Sequence, residues 1–336
     1  MPLFRRGAPP RPVWDDHPTE DDVFYAYRLI LKRDPDPEGF AHYRRLVAEG
    51  LSLDRLIRAF ENSDEHRERL EDEARPTPVD LGGYQVCIQK RDTDFGQAIF
   101  HSHDYEPHVR RLVREHLREG DVFLDVGANV GCIAFQAAAI VKATGLVLAV
   151  EPNPDNLQLL YAGLVLNGFD NVRVLPWAAS GRFQVFSLTG GVSNTHLIAA
   201  QGPERGAGLY AQSVVLDDWL AWLPRLDFVK MDIEGHEPDA LDGLQSLVTR
   251  HRPTLLIEFN PRALRELQGH SPQAFLEQLF SLYPRFRAVS AFGDDLTFER
   301  PLDLMSHWDR RSEEVAAQKL LPPGLLHFDL IATGSR

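Results

Sequence analysis

The sequence predicts an α/β protein with a doubly wound, mainly parallel sheet, preceded by a small all-α module. From about residue 122 onward, apolar runs of strand length alternate regularly with helical patterns. The run Val122 to Val126 has the continuous apolar character of a strand buried on both faces, and a glycine-bearing turn follows it. The predicted strands are Val122 to Val126, Leu146 to Glu151, Val172 to Trp177, Phe228 to Ile233, Thr254 to Phe259, Phe286 to Phe292 and Leu326 to Thr333.

The same patterns predict the domain organisation. Before the sheet, apolar residues recur at helical spacing behind good capping residues, which indicates about three amphipathic helices. The predicted parts are a flexible tail (1–18), a helical module (19–70), a linker with two prolines (71–80) and the main α/β domain (81–336). Within the main domain, residues 81–101 suggest a hairpin, and a helix is expected from about Tyr105 to Glu119, closed by Gly120.

Composition excludes several classes of protein. The chain of 336 residues is 43% hydrophobic and 25% charged, which is ordinary for a globular protein. Its net charge of -13, from 36 basic and 49 acidic residues, argues against a nucleic-acid partner. Only Cys87 and Cys132 are present, so no disulfide framework is implied and a reducing cytoplasmic location is expected. No segment approaches the length of a membrane span.

A nucleoside-binding site is predicted after the first strand of the main sheet. Asp125 ends that strand, and Gly127 and Gly131 allow a tight turn into a helix that begins near Asn129. Glu151 follows twenty residues after Gly131, at the end of the next apolar run. A carboxylate at this position is suited to bind the two hydroxyls of a ribose.

The turn favours S-adenosylmethionine over a dinucleotide. A dinucleotide fingerprint needs glycine at its first, third and sixth positions, but Asn129 and Cys132 occupy the third and sixth here. A pyrophosphate would meet side chains there, whereas S-adenosylmethionine has no phosphates. Trp177 and Ala178 follow the third strand, where an adenine ring could lie, although a core tryptophan is an equal alternative. The predicted cofactor-binding residues are Asp125, Gly127, Ala128, Asn129, Gly131, Glu151, Pro152, Asn153, Trp177 and Ala178.

Five stretches together closely resemble the FkbM family of S-adenosylmethionine-dependent methyltransferases. They are Asp125-Val-Gly127-Ala-Asn129-Val-Gly131, Glu151-Pro-Asn153-Pro, Leu216-Asp217-Asp-Trp, Lys230-Met-Asp232-Ile-Glu234-Gly235-His-Glu237 and Arg252-Pro-Thr-Leu-Leu-Ile-Glu258. The resemblance runs from about residue 95 to 334, and the Lys-x-Asp-x-Glu-Gly stretch is its most specific part. It implies a Rossmann-like class I methyltransferase sheet and O-methylation of sugar or polyketide hydroxyls.

The helical module has a resemblance of its own. The run from Tyr27 to Phe40, followed by Phe60 to Ser63, resembles a domain of unknown function found in bacterial cell-surface and glycan-processing proteins. That resemblance covers about residues 20–66 and implies no chemistry. Such a module could dock a protein partner, present the substrate or form a homo-oligomer.

The predicted catalytic residues lie around the fourth strand of the sheet. Lys230, Asp232 and Glu234 alternate along the chain, so they project to one side if the strand persists. Methyl transfer to a hydroxyl needs alignment of the two reactants and removal of the hydroxyl proton. Asp232 is the first candidate for the base or for a group that orients the hydroxyl. His236 is a further catalytic candidate, and His196 is an alternative base.

The remaining polar residues are assigned to the acceptor pocket or to structural roles. Asn194, Glu237 and Glu258 are predicted to bind the substrate. No metal is predicted because dense Asp-x-Asp spacing is absent, although Asp232 and Glu258 leave a divalent cation open. Structural alternatives are an ion pair between Asp232 and Lys230 and a helix-terminus role for Glu237. His101, His103 and His108 are interpreted as surface histidines.

Taken together, these features predict a cytoplasmic O-methyltransferase that uses S-adenosylmethionine. The expected acceptor is a hydroxyl of a sugar, glycan or related small molecule. Two alternatives stay open: a nicotinamide or nucleotide-sugar enzyme on the same kind of sheet, and a non-catalytic nucleoside-binding protein.

Overall fold

The computed structural model describes residues 16–93, 95–191, 193, 195–199 and 208–334. The chain divides into two compact units, Met1–Arg75 and Pro76–Arg336. Each unit has a hydrophobic core of its own.

Over its described residues, 16–75, the first unit contains four helices rather than the three expected. They are α1 (Glu20–Ile30), α2 (Pro37–Ala48), α3 (Leu53–Glu61) and α4 (Asp64–Ala74). The side chains of Thr19, Asp36, Ser52 and Ser63 cap their N-termini by accepting backbone hydrogen bonds. The core is formed mainly by Val23, Tyr27, Leu56 and Phe60, which are almost completely buried.

The predicted linker over residues 71–80 is wrong in its local structure. Residues up to Ala74 belong to α4, which is highly charged but capped by Ser63 and supported by an ion pair between Arg69 and Glu73. Thr77–Asp80 form a strand, β1, in which Val79 is buried. High charge alone therefore did not mark the end of the helical structure.

The second unit contains the remaining elements, with strands and helices alternating over most of its length. Its helices are α5 (Gly96–Ser102), α6 (Pro107–His116), α7 (Cys132–Val141), α8 (Pro154–Asn167), α9 (Leu216–Trp219), α10 (Glu237–Asp242), α11 (Gln245–His251), α12 (Pro261–Glu266), α13 (Pro272–Leu282) and α14 (Pro301–Ala317). After β1, its strands are β2 (Gln85–Ile88), β3 (Val122–Val126), β4 (Leu146–Val150), β5 (Val172–Leu175), β6 (Ala178–Ala179), β7 (Val185–Gly190), β8 (Thr195–Ala199), β9 (Leu209–Val214), β10 (Phe228–Met231), β11 (Thr254–Phe259), β12 (Phe286–Val289), β13 (Asp295–Phe298) and β14 (Phe328–Ala332).

An eight-stranded sheet with the order β13-β12-β14-β11-β10-β3-β4-β5 forms the centre of this unit. The five strands from β11 to β5 are parallel, whereas β14 pairs antiparallel with β11 and β12. From β3 the chain proceeds outward through β4 to β5 and then returns to β10 on the other side of β3. This confirms the doubly wound α/β fold and places the topological switch point, where ligands bind in such sheets, between β3 and β10.

The two faces of the sheet are covered by separate hydrophobic clusters. In β3, Phe123 belongs to one cluster, while Leu124 and Val126 belong to the other. All three side chains are fully buried. The double burial explains why β3 reads as an uninterrupted apolar run, as predicted.

Several elements differ from the sequence predictions. The hairpin is formed by β1 and β2, earlier than expected, and α6 ends at His116. Helix α7 begins at Cys132 rather than near Asn129, because residues 127–131 form the turn. The segment between β5 and β10 contributes a separate sheet with the order β6-β9-β7-β8, which the sequence analysis did not foresee. In the described ranges, no helix has the length and apolar character needed to cross a membrane.

The turn after β3 is supported by tight packing between α7 and α8. Phe135 of α7 is fully buried, and a Cβ atom added at Gly163 of α8 would lie 2.5 Å from its ring. The aromatic ring therefore occupies the space that any larger residue at position 163 would need.

This contact predicts that Gly163→Ala destabilises the protein. An alanine in a helix interior normally stabilises by about 1 kcal/mol relative to glycine. Here the overpacking against Phe135 is expected to dominate and to lower the free energy of unfolding by about 1 kcal/mol or more. Urea unfolding measures the change, and Val165→Ala, at an exposed position of α8, is the matched control with an effect within about 0.5 kcal/mol. A more stable Gly163→Ala protein would refute the packing argument.

Candidate active site

The turn between β3 and α7 is a compressed loop whose backbone requires glycine at position 127. The φ angle of Gly127 is +85°, and a Cβ atom there would lie 2.0 Å from the carbonyl oxygen of Asp232. Its amide and that of Ala128 both donate to the carbonyl of Val150, at 2.9 and 3.0 Å. The loop is therefore fixed against the end of β4 on one side and the loop after β10 on the other.

Glu151 holds this loop by accepting two backbone hydrogen bonds. Its Oε2 accepts from the amide of Asn129 at 2.9 Å, and its Oε1 accepts from the amide of Asn153 at 2.8 Å. Asn156 Nδ2 adds a weaker contact at 3.4 Å. Burial raises the pKa of Glu151 to about 7, although these hydrogen bonds oppose the shift. Each carboxylate oxygen has a second lone pair, so the group can still accept hydrogen bonds from a ligand.

Lys230 connects the two strands at the switch point. Its Nζ lies 3.5 Å from Asp125 Oδ1 and 3.4 Å from Asp232 Oδ2, and it donates to the carbonyl of Gly127 at 3.1 Å. Burial lowers its pKa, but the carboxylates of Asp232, Asp125 and Glu106 outweigh this and raise the pKa above its usual value. With 5% of its surface exposed, Lys230 lies below the loop and positions it.

Asp125 is completely buried beside this lysine. Neither of its oxygens has a hydrogen bond of good geometry from the described part of the chain. Burial raises the pKa of Asp125 to about 6, against the opposing effect of Lys230. The predicted cofactor residue is thus placed under the loop, in contact with Lys230.

The expected projection of alternate residues after β10 does not occur, because the strand ends at Met231. The chain turns instead, with φ angles of +57° at Glu234 and +93° at Gly235. Glu237 stabilises this turn, since its Oε1 accepts from the amides of Ile233 and Gly235 at 2.9 and 3.2 Å. Its role is more than the helix-terminus effect that the sequence suggested.

Three carboxylates converge beside this turn. One oxygen each from Asp232, Glu237 and Glu258 lies within 4.8 Å of the other two. Asp232 is the most accessible of the three, with 24% of its side chain exposed. Glu237 is fully buried and Glu258 is 8% exposed. The structure therefore brings together the catalytic candidate and two of the predicted substrate-binding residues.

Tyr105 and Glu106 belong to the site although the sequence analysis did not single them out. Glu106 has a φ angle of +39°, and its carboxylate interacts electrostatically with Tyr105, Asp232 and Lys230. Burial, Asp232 and Asp329 raise the pKa of Glu106 well above its usual value. A strained residue that precedes α6 and carries a buried carboxylate is a functional signal, but it is visible only in the fold.

The interpretation of His108 as a surface histidine is wrong, because its side chain is largely buried. Its Nε2 lies 2.8 Å from Asp329 Oδ2, and 11% of its side chain is exposed. His101 and His103 are exposed, as expected. Asp329 lies opposite Glu258 in the β11–β14 ladder, so this pair borders the carboxylate cluster.

Two predicted site residues, His236 and Trp177, pack against other aromatic side chains. His236 is 2% exposed, packs edge-on against Phe186 and has Nε2 3.3 Å from Ser180 Oγ. The ring of Trp177 lies 4.3 Å from that of Trp219 at an interplanar angle of 44°, and Trp177 is partly buried.

The other predicted residues are accounted for as follows. His196 is a half-buried residue of β8, and burial lowers its pKa. Asn153 caps α8, Pro152 precedes it, and Ala178 is buried in β6. Gly131 precedes α7 with a φ angle of +96°. Asn194 lies outside the described residues.

Comparison with known proteins agrees with this arrangement. Residues 125–291 match the family model of the methyltransferase FkbM domain. Hexuronic acid methyltransferase AglP of Haloferax volcanii is 31% identical over 145 residues, which are 41% of this chain and 56% of AglP. The chain thus spans little more than half the length of that relative.

Two further similarities cover more of the chain. The 2-O-methyltransferase NoeI of Sinorhizobium fredii is 24% identical over 228 residues, which are 62% of this chain and 90% of NoeI. The crystal structure of methyltransferase FkbM from Methylobacillus flagellatus KT is 17% identical, covers 81% of this chain and 57% of its own, and has a TM-score of 0.38.

These findings confirm the resemblance to the FkbM family over the central part of the predicted range. The first helical unit lies outside the matched residues. The doubly wound sheet, with its switch point between β3 and β10, has the α/β architecture that the sequence predicted. Over residues 125–291, just under half of the chain, the protein is therefore similar to the methyltransferase FkbM domain.

Proposed function

We propose that the protein is an S-adenosylmethionine-dependent O-methyltransferase that acts on a hydroxyl of a sugar, a glycan or a related small molecule. The observation that carries the proposal is the pair of hydrogen bonds that Glu151 accepts from the backbone amides of Asn129 and Asn153. It presents a carboxylate beside the loop at the switch point, where a ribose is bound in sheets of this kind.

The residues of the loop fit S-adenosylmethionine better than a dinucleotide. Asn129 stands where a pyrophosphate would need bare backbone, and its Oδ1 is buried without a hydrogen bond from any described residue. Glu151 would bind the ribose hydroxyls, the backbone of Gly127 and Ala128 would line the cofactor, and Trp177 and Ala178 would border the adenine. When bound, S-adenosylmethionine supplies an electrophilic methyl carbon on a sulfonium sulfur that leaves with the bonding electron pair.

Asp232 is the proposed partner of the acceptor hydroxyl. It lies at the carboxyl end of β10 beside the cofactor loop, and its side chain is the most accessible in the carboxylate cluster. The hydroxyl oxygen forms the new bond to the methyl carbon while its proton is removed, and Asp232 accepts that proton or orients the hydroxyl. Lys230 positions Asp232 and the loop, and Glu234 lies next in the same turn. His236 is a weaker candidate because it is buried against Phe186 and Ser180.

The proposed class of acceptor follows from chemistry and from the relatives. AglP is named as a hexuronic acid methyltransferase and NoeI as a 2-O-methyltransferase, which supports a sugar hydroxyl as the methyl acceptor. The net charge of -13 disfavours RNA or DNA. Glu237 and Glu258 would line the acceptor side of the site, together with Asn194.

The helical unit, the linker boundaries and the cytoplasmic location remain predictions. The resemblance of residues 20–66 to a domain of unknown function from glycan-processing proteins suggests that this unit presents a glycan or binds a partner. Both cysteines are buried and unpaired, in keeping with the expected reducing compartment.

Glu151→Gln is predicted to weaken binding of S-adenosylmethionine. The amide has only one oxygen, so it loses a charged acceptor for the ribose and leaves one of the two clamped backbone amides without a partner. We expect a loss of about 1.5 to 3 kcal/mol, roughly ten- to hundredfold in Kd. Isothermal titration calorimetry measures it, with Glu277→Gln at an exposed position as the control. Tighter binding of NAD than of S-adenosylmethionine to the wild-type protein would reject the proposed cofactor.

Cofactor affinity is also predicted to fall as the pH is lowered. The pKa of Glu151 is raised to about 7, so the free protein carries a proton on this group below that pH. Ribose binding needs the ionised form as a double acceptor, and the proton must then be released. The Kd is therefore expected to be about tenfold higher near pH 6 than near pH 8. Because the cofactor's own amino group also titrates, Glu151→Gln serves as the reference, and an equal pH dependence in that variant would contradict the assignment.

Asp232→Asn is predicted to abolish most of the methyl transfer while the protein still binds its cofactor. The amide cannot accept the hydroxyl proton, and general-base contributions are typically about 10² to 10⁴ in rate. Labelled S-adenosylmethionine is incubated with uronic-acid and neutral-sugar glycans, and mass spectrometry detects the gain of one methyl. Asp218→Asn, an exposed aspartate of α9, is the control. Undiminished kcat in Asp232→Asn would show that this residue is neither base nor orienting group.

A further inference from the structure

The carboxylates of Asp232, Glu237 and Glu258 come from three separate parts of the fold. Asp232 follows β10, Glu258 lies in the adjacent parallel strand β11, and Glu237 is the first residue of α10. The ladder pairs Met231 with Ile257, so Asp232 and Glu258 are the next residues of two neighbouring strands. Their closeness is therefore fixed by the register of the sheet.

Two of these carboxylates have a buried oxygen with no partner. Oε2 of Glu237 and Oε2 of Glu258 are inaccessible and accept no hydrogen bond from the described residues. Both residues are more than nine-tenths buried. A buried polar atom without a partner is costly and rare in native proteins, and a pair at one place indicates that a ligand supplies the missing interaction.

The orientation of these groups is held by other contacts. Glu237 Oε1 is occupied by the amides of Ile233 and Gly235, which fixes the plane of the carboxylate and leaves Oε2 available. Glu258 Oε1 lies 3.7 Å from Nδ1 of His327, again on the oxygen opposite the unpartnered one. The two free oxygens are therefore already positioned for a ligand.

The positive charge near the cluster is too small to balance it. Lys230 contacts Asp232 but divides its charge with Asp125. Asp232, Glu237 and Glu258 each bring one oxygen within 4.8 Å of the other two, so the ionised carboxylates repel one another. A positively charged ligand would remove this repulsion.

We propose that Asp232, Glu237 and Glu258 bind one divalent cation that prefers oxygen ligands, of the Mg²⁺, Mn²⁺ or Ca²⁺ type. Three carboxylates that each place one oxygen within 4.8 Å of the others match the ligand chemistry of these ions, and no thiolate or imidazole belongs to the described cluster.

The cation would deepen the proposed function, on which this step rests. A metal beside the carboxyl end of β10 can bind the acceptor hydroxyl and lower its pKa, so that the proton is removed more easily. Asp232 would then hold the cation and, as proposed above, accept the hydroxyl proton. Metal binding itself does not depend on methyl transfer and is measured separately.

The test uses the full chain after removal of metals with a chelator. Mn²⁺ is titrated and free Mn²⁺ is followed by electron paramagnetic resonance, with Mg²⁺ and Ca²⁺ as competitors. We expect one Mn²⁺ per chain, an affinity at least about tenfold weaker in Asp232→Asn and in Glu258→Gln, and no change in Glu277→Gln. Mn²⁺ should also raise the Tm of the wild-type protein.

The absence of saturable Mn²⁺ binding up to about 1 mM, the weak end of protein cation sites, would overturn the proposal. Equal affinity in wild-type, Asp232→Asn and Glu258→Gln proteins would do the same. Circular dichroism checks the fold of each variant, and the more exposed Asp232 provides a readout if Glu258→Gln does not fold. Calorimetry with S-adenosylmethionine is run in parallel: cofactor binding without metal binding rejects only the cation site, whereas metal binding without cofactor binding rejects only the methyltransferase proposal.

Discussion

The site depends on one buried ammonium group, that of Lys230. It lies at the topological switch point of the sheet, between β3 and β10. Its ammonium group contacts a carboxylate from β3, a carboxylate after β10 and the carbonyl of Gly127. Removing such charges from water is costly, so a buried ion pair of this kind adds little to stability by itself. Its value lies in geometry, because one group sets the distance between two strand ends and the loop that crosses them.

Unusual backbone conformations occur in both of the loops that Lys230 joins. Gly127 and Asn129 have positive φ angles after β3, and Glu234 and Gly235 have them after β10. The carbonyl of Asp232 occupies the space of a missing side chain at Gly127. A change in one loop must therefore be transmitted to the other, which couples the cofactor side of the site to the acceptor side.

The sequence was informative wherever one short segment determined the structure. Strands β3 and β11 were predicted to the residue because both are continuous apolar runs buried on two faces. Glu151 was found from its distance to the glycine turn, and the structure places it against that turn. The small sheet that contains β7 was missed because its strands are short and partly exposed, with a weak apolar pattern.

Contacts between distant segments could not be predicted in this way. His108 and Asp329 are 221 residues apart, and Glu106 acquires its surroundings only when α6 packs near the end of β10. Glu237 was predicted to bind the substrate or, alternatively, to stabilise a helix end, since nothing in its spacing reveals the register between β10 and β11. The carboxylate cluster is a product of sheet topology. The absence of closely spaced acidic residues in the sequence therefore did not indicate whether carboxylates converge in the fold.

The concentration of acidic groups also bears on the proposed methyl transfer. A sulfonium carries a positive charge that is lost as the methyl group leaves, so uncompensated carboxylates would stabilise the bound reactant more than the transition state. Such ground-state stabilisation slows the chemical step, even though it tightens binding. Lys230 offsets part of the negative charge, and a cation between Asp232, Glu237 and Glu258 would offset more of it. The same cation would attract the acceptor oxygen. With the cation bound, the acidic cluster would help to bind the acceptor and would no longer stabilise the positively charged sulfonium reactant over the transition state.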